Sequence, residues 1–540
     1  MMGNKDRAFA PLVNISLEQL VPADHFYRHL DKSLDLTFVR DLVAPFYAVG
    51  GRPSVDPIVF FKLQLIMFFE GIRSERQLLR TAADRLSLRW YLGYDFPEAL
   101  PDHSSLTRIR ERYGLGTFRK FFEHIVEQCQ QAGLVWGQEL YFDGTPVEAN
   151  ADHDTMRPRF YVEAMQAHLA ALFANPTDPA SDSRAPDVPP PQLLAFPSKR
   201  PSAEEEPGPP DAPPGEDWIE RVGRPASREQ TSSYQRIGDL RVSTTDPDAT
   251  LLRGKGGGSH LGYQTHYVVD GGKARIILQA LVTPAEVQDN QPMLDLLWRT
   301  CFRWHVRPKQ VTGDTKYGTI ENLKAIEDAG MRAYIPLRNF EDSHDVFSKQ
   351  RFTYEPDADQ YRCPQGEVLR LRAHYYRERQ KYYRADAALC NACALKSQCT
   401  TSDTGREIRR YFDEEYVERV RAYQSTAAYQ KALAKRQVWV EPLFGEAKQW
   451  HGLERFRLRG LEKVNMESLL IAAGQNLKRL LAKWGWGRRP GPNGAPLAVG
   501  GRACGAPFAS LSEIVLMMVG LYRKQIRLSI AAGAACSVSN

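Results

Sequence analysis

A chain of 540 residues with a formal net charge of +6 is long enough for two to four domains with buried cores. Its 43% hydrophobic and 25% charged residues are ordinary for a soluble globular protein, and no uncharged apolar run reaches the roughly 18 residues of a membrane span. The mild basic excess suits a polyanionic partner without demanding one. Met1 to Pro11 lacks the apolar stretch of an export signal. A cytoplasmic location is therefore expected, with the eight cysteines as reduced thiols or metal ligands and not a disulfide framework.

From about Ser16 to Trp136 the chain reads helical. Ile58, Phe61, Leu65, Phe68 and Phe69 recur at helical spacing behind Pro57, which suits a first-turn position. Asp102, Ser104 and Ser105 offer N-caps for a helix over Leu106 to Tyr113 that carries Arg108, Arg110 and Arg112. That basic helix fits a helix-turn-helix DNA reader and, equally, the solvated face of a small bundle. Glu139 to Phe142 reads as a strand ending at Asp143, and Phe160 to Phe173 as a helix. Asn175 to Gln230 is dense in Pro, Ser, Asp, Glu and Ala, too polar to offset the entropy of ordering, and is expected to be disordered.

From near Arg253 the pattern is α/β. Gly262 to Asp270 and Arg275 to Thr283 read as a hairpin turning at Gly271 and Gly272. Helices are expected over Asp289 to Trp304 and Glu321 to Ala329, and strands over Gln310 to Thr312 and Arg332 to Pro336. Val346 to about Arg410 is polar, Tyr-rich and Cys-bearing. Glu414 to Trp450 and Val464 to Trp484 read as long helices, followed by a Gly/Pro-rich tail from Gly485.

Three carboxylates stand where phosphoryl-transfer chemistry would need them. Asp143 and Asp314 each follow a strand, and Glu441 lies in a helical segment. Acids at the ends of neighbouring strands can converge, and a helix can bring a third across the sheet to hold two Mg²⁺ about 4 Å apart. Singly, each is more often a turn former or helix cap. Lys448 follows Glu441 by seven residues, nearly two helical turns, so the pair shares one face and Lys448 could meet phosphate.

Four blocks, in order, carry a family resemblance. The first joins Gly51-Arg-Pro-Ser-Val-Asp-Pro, Gly71-Ile-Arg-Ser-Glu-Arg-Gln-Leu, Arg89-Trp-Tyr-Leu-Gly and Pro101-Asp-His-Ser-Ser-Leu-Thr-Arg. The second is Phe142-Asp-Gly-Thr with Asp246-Pro-Asp-Ala and Gly262-Tyr-Gln-Thr-His-Tyr-Val-Val-Asp; the third is Gly313-Asp-Thr-Lys-Tyr-Gly. The fourth runs from Val440-Glu-Pro-Leu-Phe-Gly through His451-Gly-Leu-Glu-Arg-Phe-Arg-Leu-Arg-Gly to Asn476-Leu-Lys-Arg-Leu. With them the chain resembles bacterial insertion-sequence transposases of the DDE class.

The resemblance implies an α/β RNase H-like catalytic core with a helical N-terminal domain and a small Cys-bearing insertion. It implies metal carboxylates at Asp143, Asp314 and Glu441 and a DNA-contacting lysine at Lys448. It also implies double-stranded DNA as partner, at the element's terminal repeats and at the target, and a homodimer on DNA. The family's Tyr-Arg-Glu-Lys signature fits loosely, because Gln437 and Ala434 stand at its Arg and Tyr positions and Arg436 is one step off. Gly313 stands where the family often has Ala.

The expected division is a helical DNA-binding region over 1–136, the first core strand over 137–174, a Pro-rich linker over 175–230, core over 231–345, the Cys-bearing insertion over 346–410, core helices over 411–484 and a tail over 485–540. Beyond Lys448, Arg455, Arg457 and Arg459 are expected to grip DNA, although their alternation with Phe456, Leu458 and Leu461 equally fits a half-buried edge beside the core. Cys363, Cys390, Cys393 and Cys399 suggest a structural Zn²⁺ through the Cys-x-x-Cys knuckle, with free thiols in a small subdomain as the other reading. Two alternatives to a transposase stay open: an RNase H-like nuclease or resolvase, and a catalytically inactive DNA-binding descendant.

Overall fold

The computed structural model describes residues 16–47, 50, 54–173, 241–253, 258–338 and 346–486. The expectations for the 175–230 linker and for the tail beyond Trp486 lie outside these residues.

The chain begins in helices α1 (Leu17–Leu20), α2 (Phe26–Ser33), α3 (Phe38–Val43), α4 (Pro57–Glu70), α5 (Glu75–Asp84), α6 (Leu86–Leu92) and α7 (His103–Gln131). The Asp56 carboxylate caps α4 ahead of Pro57, and Gly71 ends it in the left-handed region. Between those stops the sequence is apolar almost all round, so α4 is buried at Phe60, Phe61, Leu63 and Ile66. The basic helix expected over Leu106 to Tyr113 is the first part of the far longer α7, capped by Asp102 as its sequence indicates and interrupted at Gly114, φ 62°.

The central sheet contains β1 (Glu139–Glu148), β4 (Thr250–Arg253), β5 (Ser259–Asp270), β6 (Ile277–Pro284), β7 (Gln310–Thr312) and β8 (Arg332–Tyr334). Its order is β4-β5-β1-β7-β8, with β6 also on β5. β1 and β6 lie antiparallel to β5, whereas β7 lies parallel to β1 and β8 parallel to β7. The first strand does not stop at Phe142 as expected. Pairing with β5 carries it on to Glu148, so Asp143 lies mid-strand. The short strands β2 (Met156–Pro158) and β3 (Arg241–Ser243) pair apart from this sheet, next to helix α8 (Arg159–Phe173).

Helices α9 (Met293–Trp304) and α10 (Ile320–Asp328) connect the parallel strands. The helix expected from Asp289 starts four residues later, behind Pro292. The insertion forms its own antiparallel sheet, β9 (Thr353–Glu355), β10 (Gln360–Arg362), β11 (Val368–Tyr375), β12 (Gln380–Ala385) and β13 (Glu407–Tyr411), with short helices α11 (Ala387–Asn391) and α12 (Lys396–Cys399).

The long helix expected over Glu414 to Trp450 is three: α13 (Glu414–Tyr423), α14 (Ala427–Trp439) and α15 (Glu441–His451). Thr426 restarts the chain by capping α14, and Pro442, which has no N–H to donate, sits in the first turn of α15. Last comes α16 (Leu461–Lys483), which packs on α4, α7 and β6. One apolar core runs from Tyr27 through Phe61, Tyr141 and Leu297 to Leu481, so the N-terminal helices and the sheet are packed as one body.

Candidate active site

The strand register brings two of the three expected carboxylates together. Tyr141 of β1 lies opposite Thr312 of β7 in the parallel ladder. Two residues further along each chain, past the last paired position, stand Asp143 and Asp314. The Asp143 side chain is only 13% exposed. Burial pushes its carboxyl up to about 6, aided by the negative charge of Asp314 and opposed by the Arg436 guanidinium and the Gly144 N–H. Arg436 lies 3.2 Å away and the Gly144 N–H donates at 3.0 Å. Asp314 is half-buried and accepts from the Lys316 N–H at 2.9 Å, capping the single turn Thr315–Tyr317.

Helices α14 and α15 run along β1. Lys435 meets Glu139 at 2.5 Å, Arg436 meets Asp143, and Lys448 donates to the Pro146 carbonyl at 3.2 Å. The junction between the helices is tied to the β5–β6 turn, since the Trp439 indole N–H donates to the Gly272 carbonyl at 2.9 Å. Glu441 begins α15 within this span, exposed, and its carboxylate enters no hydrogen bond or ion pair among the described residues. Also among the described residues, no three His, Cys, Asp or Glu side chains gather closely enough to hold a metal ion. The aspartates are therefore brought together, and Glu441 is on the adjoining helix without closing on them. The neighbouring acid, Glu446, is occupied otherwise. Lys478, Arg479 and His451 surround it and hold its carboxyl far below the usual range despite its burial.

Two features of this site were not found in the sequence. The sequence leaves the signature's Arg role open between Gln437 and Arg436, and Arg436 is the cation facing Asp143. The other is a buried polar cluster against β1. Asp289, 5% exposed, accepts from Gln264 Nε2 at 2.7 Å and pairs with Lys316 Nζ at 2.6 Å, with His266 Nδ1 at 3.7 Å. Gly144 makes room for it: a Cβ there would meet Asp289 Oδ1 at 2.9 Å and Gln264 Nε2 at 3.0 Å. Lys316 thus lies among three acids. Burial alone would lower its ammonium pKa, but Asp289, Asp314 and Asp143 together raise it. The signal was the Asp-Thr-Lys sequence itself, but nothing local linked Lys316 to Asp289, 27 residues away.

The expected DNA-contacting arginines divide. Arg110 is a correction: it is 3% exposed and paired with Glu75, which Arg457 also reaches at 3.1 Å, so Arg110 serves the contact of α5 with α7 and is closed to a ligand. Arg457 is half-buried, and its backbone N–H donates to both Glu467 carboxylate oxygens at 3.1 Å. Arg108 and Arg112 are exposed on α7, Arg112 over the Tyr47 ring. Arg455 and Arg459 are exposed, with Nε on the carbonyls of Ala149 at 3.2 Å and Asn150 at 2.8 Å. This stretch lies as a half-buried edge beside the core: Phe456 is buried against Tyr263, and Arg455 bridges Glu148 of β1.

Cys363, Cys390, Cys393 and Cys399 line one small pocket with Phe347 and Leu389. The Cys390 sulfur accepts from the Arg406 N–H at 3.3 Å and the Cys393 sulfur from the Leu395 N–H at 3.4 Å.

Family comparison decides the class. Residues 15–112 match the family model described as Transposase domain (DUF772), and residues 362–481 match the one described as Transposase DDE domain. The two matches support an insertion-sequence DDE transposase. Of this transposase's three expected acids, Glu441 lies inside the second match, and Asp143 and Asp314 lie outside both. No curated protein and no solved structure matches the transposase. Among its described residues, no helix is long and apolar enough to cross a membrane.

Proposed function

We propose that this transposase cuts DNA at the ends of its element and joins the freed 3′ ends to target DNA, using Asp143, Asp314 and Glu441 as its catalytic carboxylates. The observation that carries the reading is the β1/β7 register, which brings the half-buried Asp314 close enough for its charge to act on the buried Asp143. The sheet order supports an RNase H-like core: three antiparallel strands, β6, β5 and β1, continue into the parallel β7 and β8. The location this implies is the cytoplasm, at chromosomal DNA.

Two neighbouring carboxylates, one of them raised by burial, fit a divalent cation, because a cation removes the repulsion that burial makes costly. Asp143 and Asp314 would hold Mg²⁺, with Glu441 contributing from α15. Bound there, two ions would activate the attacking oxygen and stabilise the leaving one. The chain's own groups position the DNA. Lys448 stands on the same helix as Glu441 and beside Pro146, suited to a phosphate of the cleaved strand. Arg436 balances Asp143, and Lys316 is held by Asp289 at the edge of the same pocket.

The test uses a plasmid carrying the coding region with its flanking genomic sequence. Asp143→Asn, Asp314→Asn and Glu441→Gln are each expected to abolish Mg²⁺-dependent cleavage while end binding persists; each removes one charge with little change of volume. Cleavage at the wild-type rate by any one overturns that residue's role. Cleavage without strand-transfer joints in the wild type would make the protein a nuclease.

Zinc at the four cysteines is the second metal reading. The four cysteines line one pocket and backbone N–H groups are directed at two of the sulfurs, although no three of them close to the spacing a metal ion needs. Freshly reduced protein should then hold about one Zn per chain, and metal analysis finding none removes it.

A further inference from the structure

The insertion sheet has two unlike faces. Leu369, Tyr383 and Ile408 are buried in its small core. The register puts the intervening residues of the same three strands on the opposite face, in rows: Arg370 beside Arg384 beside Glu407, Ala373 beside Tyr382 beside Arg409, and Tyr375 beside Gln380 beside Tyr411. Arg372 sits at the register shift of β11, and Tyr376 and Arg377 form the tip of its hairpin with β12.

From this arrangement we propose that the outward face of β11, β12 and β13 docks the sugar–phosphate backbone of duplex DNA. The proposal rests on the transposase reading but concerns a surface distinct from the carboxylate pocket. Charge is the first argument. Val368 to Ala385 carries six basic side chains and one acidic, a formal +5 in eighteen residues, against +6 for the whole chain. The second is availability. Arg379 and Lys381 are spent on Asp413 and Asp359. Arg370, Arg372 and Arg377, by contrast, are exposed and have no acidic partner among the described residues.

The third argument is that the face is prepared for a polyanion. The acid in its rows, Glu407, is already neutralised by Arg384 at 2.7 Å and Arg409 at 3.5 Å, which leaves Glu378 at the hairpin tip. Tyr382 is covered by the Arg409 guanidinium at 4.8 Å and by the Tyr375 ring at 4.1 Å, which stiffens the centre of the face. Tyr375, Tyr376 and Tyr411 are 46%, 76% and 42% exposed, and they offer hydroxyl donors between the arginines. Phosphate oxygens accept from this mix of Arg and Tyr groups without regard to base sequence.

The test is a triple substitution in the full chain, R370Q/R372Q/R377Q, binding a labelled duplex of unrelated sequence across a salt series. Three lost phosphate contacts should make the slope of log K against log salt shallower by about 2–3, with affinity down roughly tenfold or more at low salt. The triple Lys version should keep the wild-type slope, which separates lost charge from lost fold. An unchanged slope in the Gln variant overturns this surface alone, as does an equal loss in the Lys variant. A wild-type protein that binds no duplex overturns the transposase reading with it.

Discussion

Around Asp143, chemistry depends on groups far apart in the chain. Its carboxyl is raised by burial and steadied by Arg436, from a helix that the sequence places nearly 300 residues later. The cluster beneath Gly144 behaves similarly. Burial pushes the His266 imidazole down to about 4, outweighing the attraction of Asp289, while Lys316 adds to the fall. Its Nε2 shares a hydrogen bond with Thr283 Oγ1 at 2.9 Å. The unfolded chain takes up a proton below the ordinary value near 6.5, and the folded one does not until about 4. The stability from a neutral His266 is therefore complete above pH 6.5 and is lost as pH falls towards 4. The loss is at most about 3.5 kcal/mol, since each pKa unit is worth ~1.4 kcal/mol. His266→Gln should flatten this dependence, whatever it does to stability at pH 7. Urea unfolding of both proteins from pH 7 down to pH 4.5 reads it, and parallel curves would show that His266 does not titrate between the states.

Elements here are fastened by polar side chains as well as by the core. β6 pairs only with β5, so its far edge would leave backbone groups without partners. Two asparagines of α16 cover them. Asn476 accepts from the Ile277 N–H at 2.9 Å and donates to the Ile277 carbonyl at 2.8 Å; Asn465 does the same for Val282, at 2.8 and 2.9 Å. The spacing makes this possible: eleven residues of helix and five of strand both span about 16 Å. Asn476→Ala leaves a buried N–H and carbonyl unpaired and should cost roughly 2–6 kcal/mol, at 1–3 for each group. A melting temperature within a degree of wild type would refute that. Such fastening also marks the limit of what the sequence discloses. α4 behind its first-turn Pro57, and the β5–β6 hairpin, are legible because their signals are local. The reach of β1 to Glu148 is not, since β5 supplies it, and neither is the use of Arg110, which is basic in sequence yet buried against Glu75. Asp143 and Asp314 are legible only as two acids after strands. Their neighbourhood follows from the parallel register, which no local pattern encodes.

On the scale of the molecule, a single core joins the N-terminal helices, the sheet and α16, and residues 174–240 stand between Phe173 and Arg241 in the sequence. The described segments on either side of that stretch are held to each other. Met156, Arg157 and Pro158 of β2 pair with Ser243, Val242 and Arg241 of β3, and Tyr263 reaches Asp246 just beyond at 2.6 Å. Removing residues 176–230 would leave twelve residues, 174–175 and 231–240, to return from the end of α8 to β3. α8 has fifteen residues, a length of about 22 Å, whereas twelve extended residues reach about 40 Å, so closure is unstrained. The deleted stretch is too rich in Pro and charge to build a core of its own. Shortening the 67-residue connection to twelve removes about two and a half doublings of length, so the deletion should stabilise the fold by about 1.5 kcal/mol through closure entropy. Soluble deletion protein with an unchanged or slightly raised melting temperature, and with cleavage retained, is the expected result. Insoluble protein or a fall of several degrees would mean that the deleted stretch packs on the core, and cleavage lost from a stable protein would mean that it handles DNA.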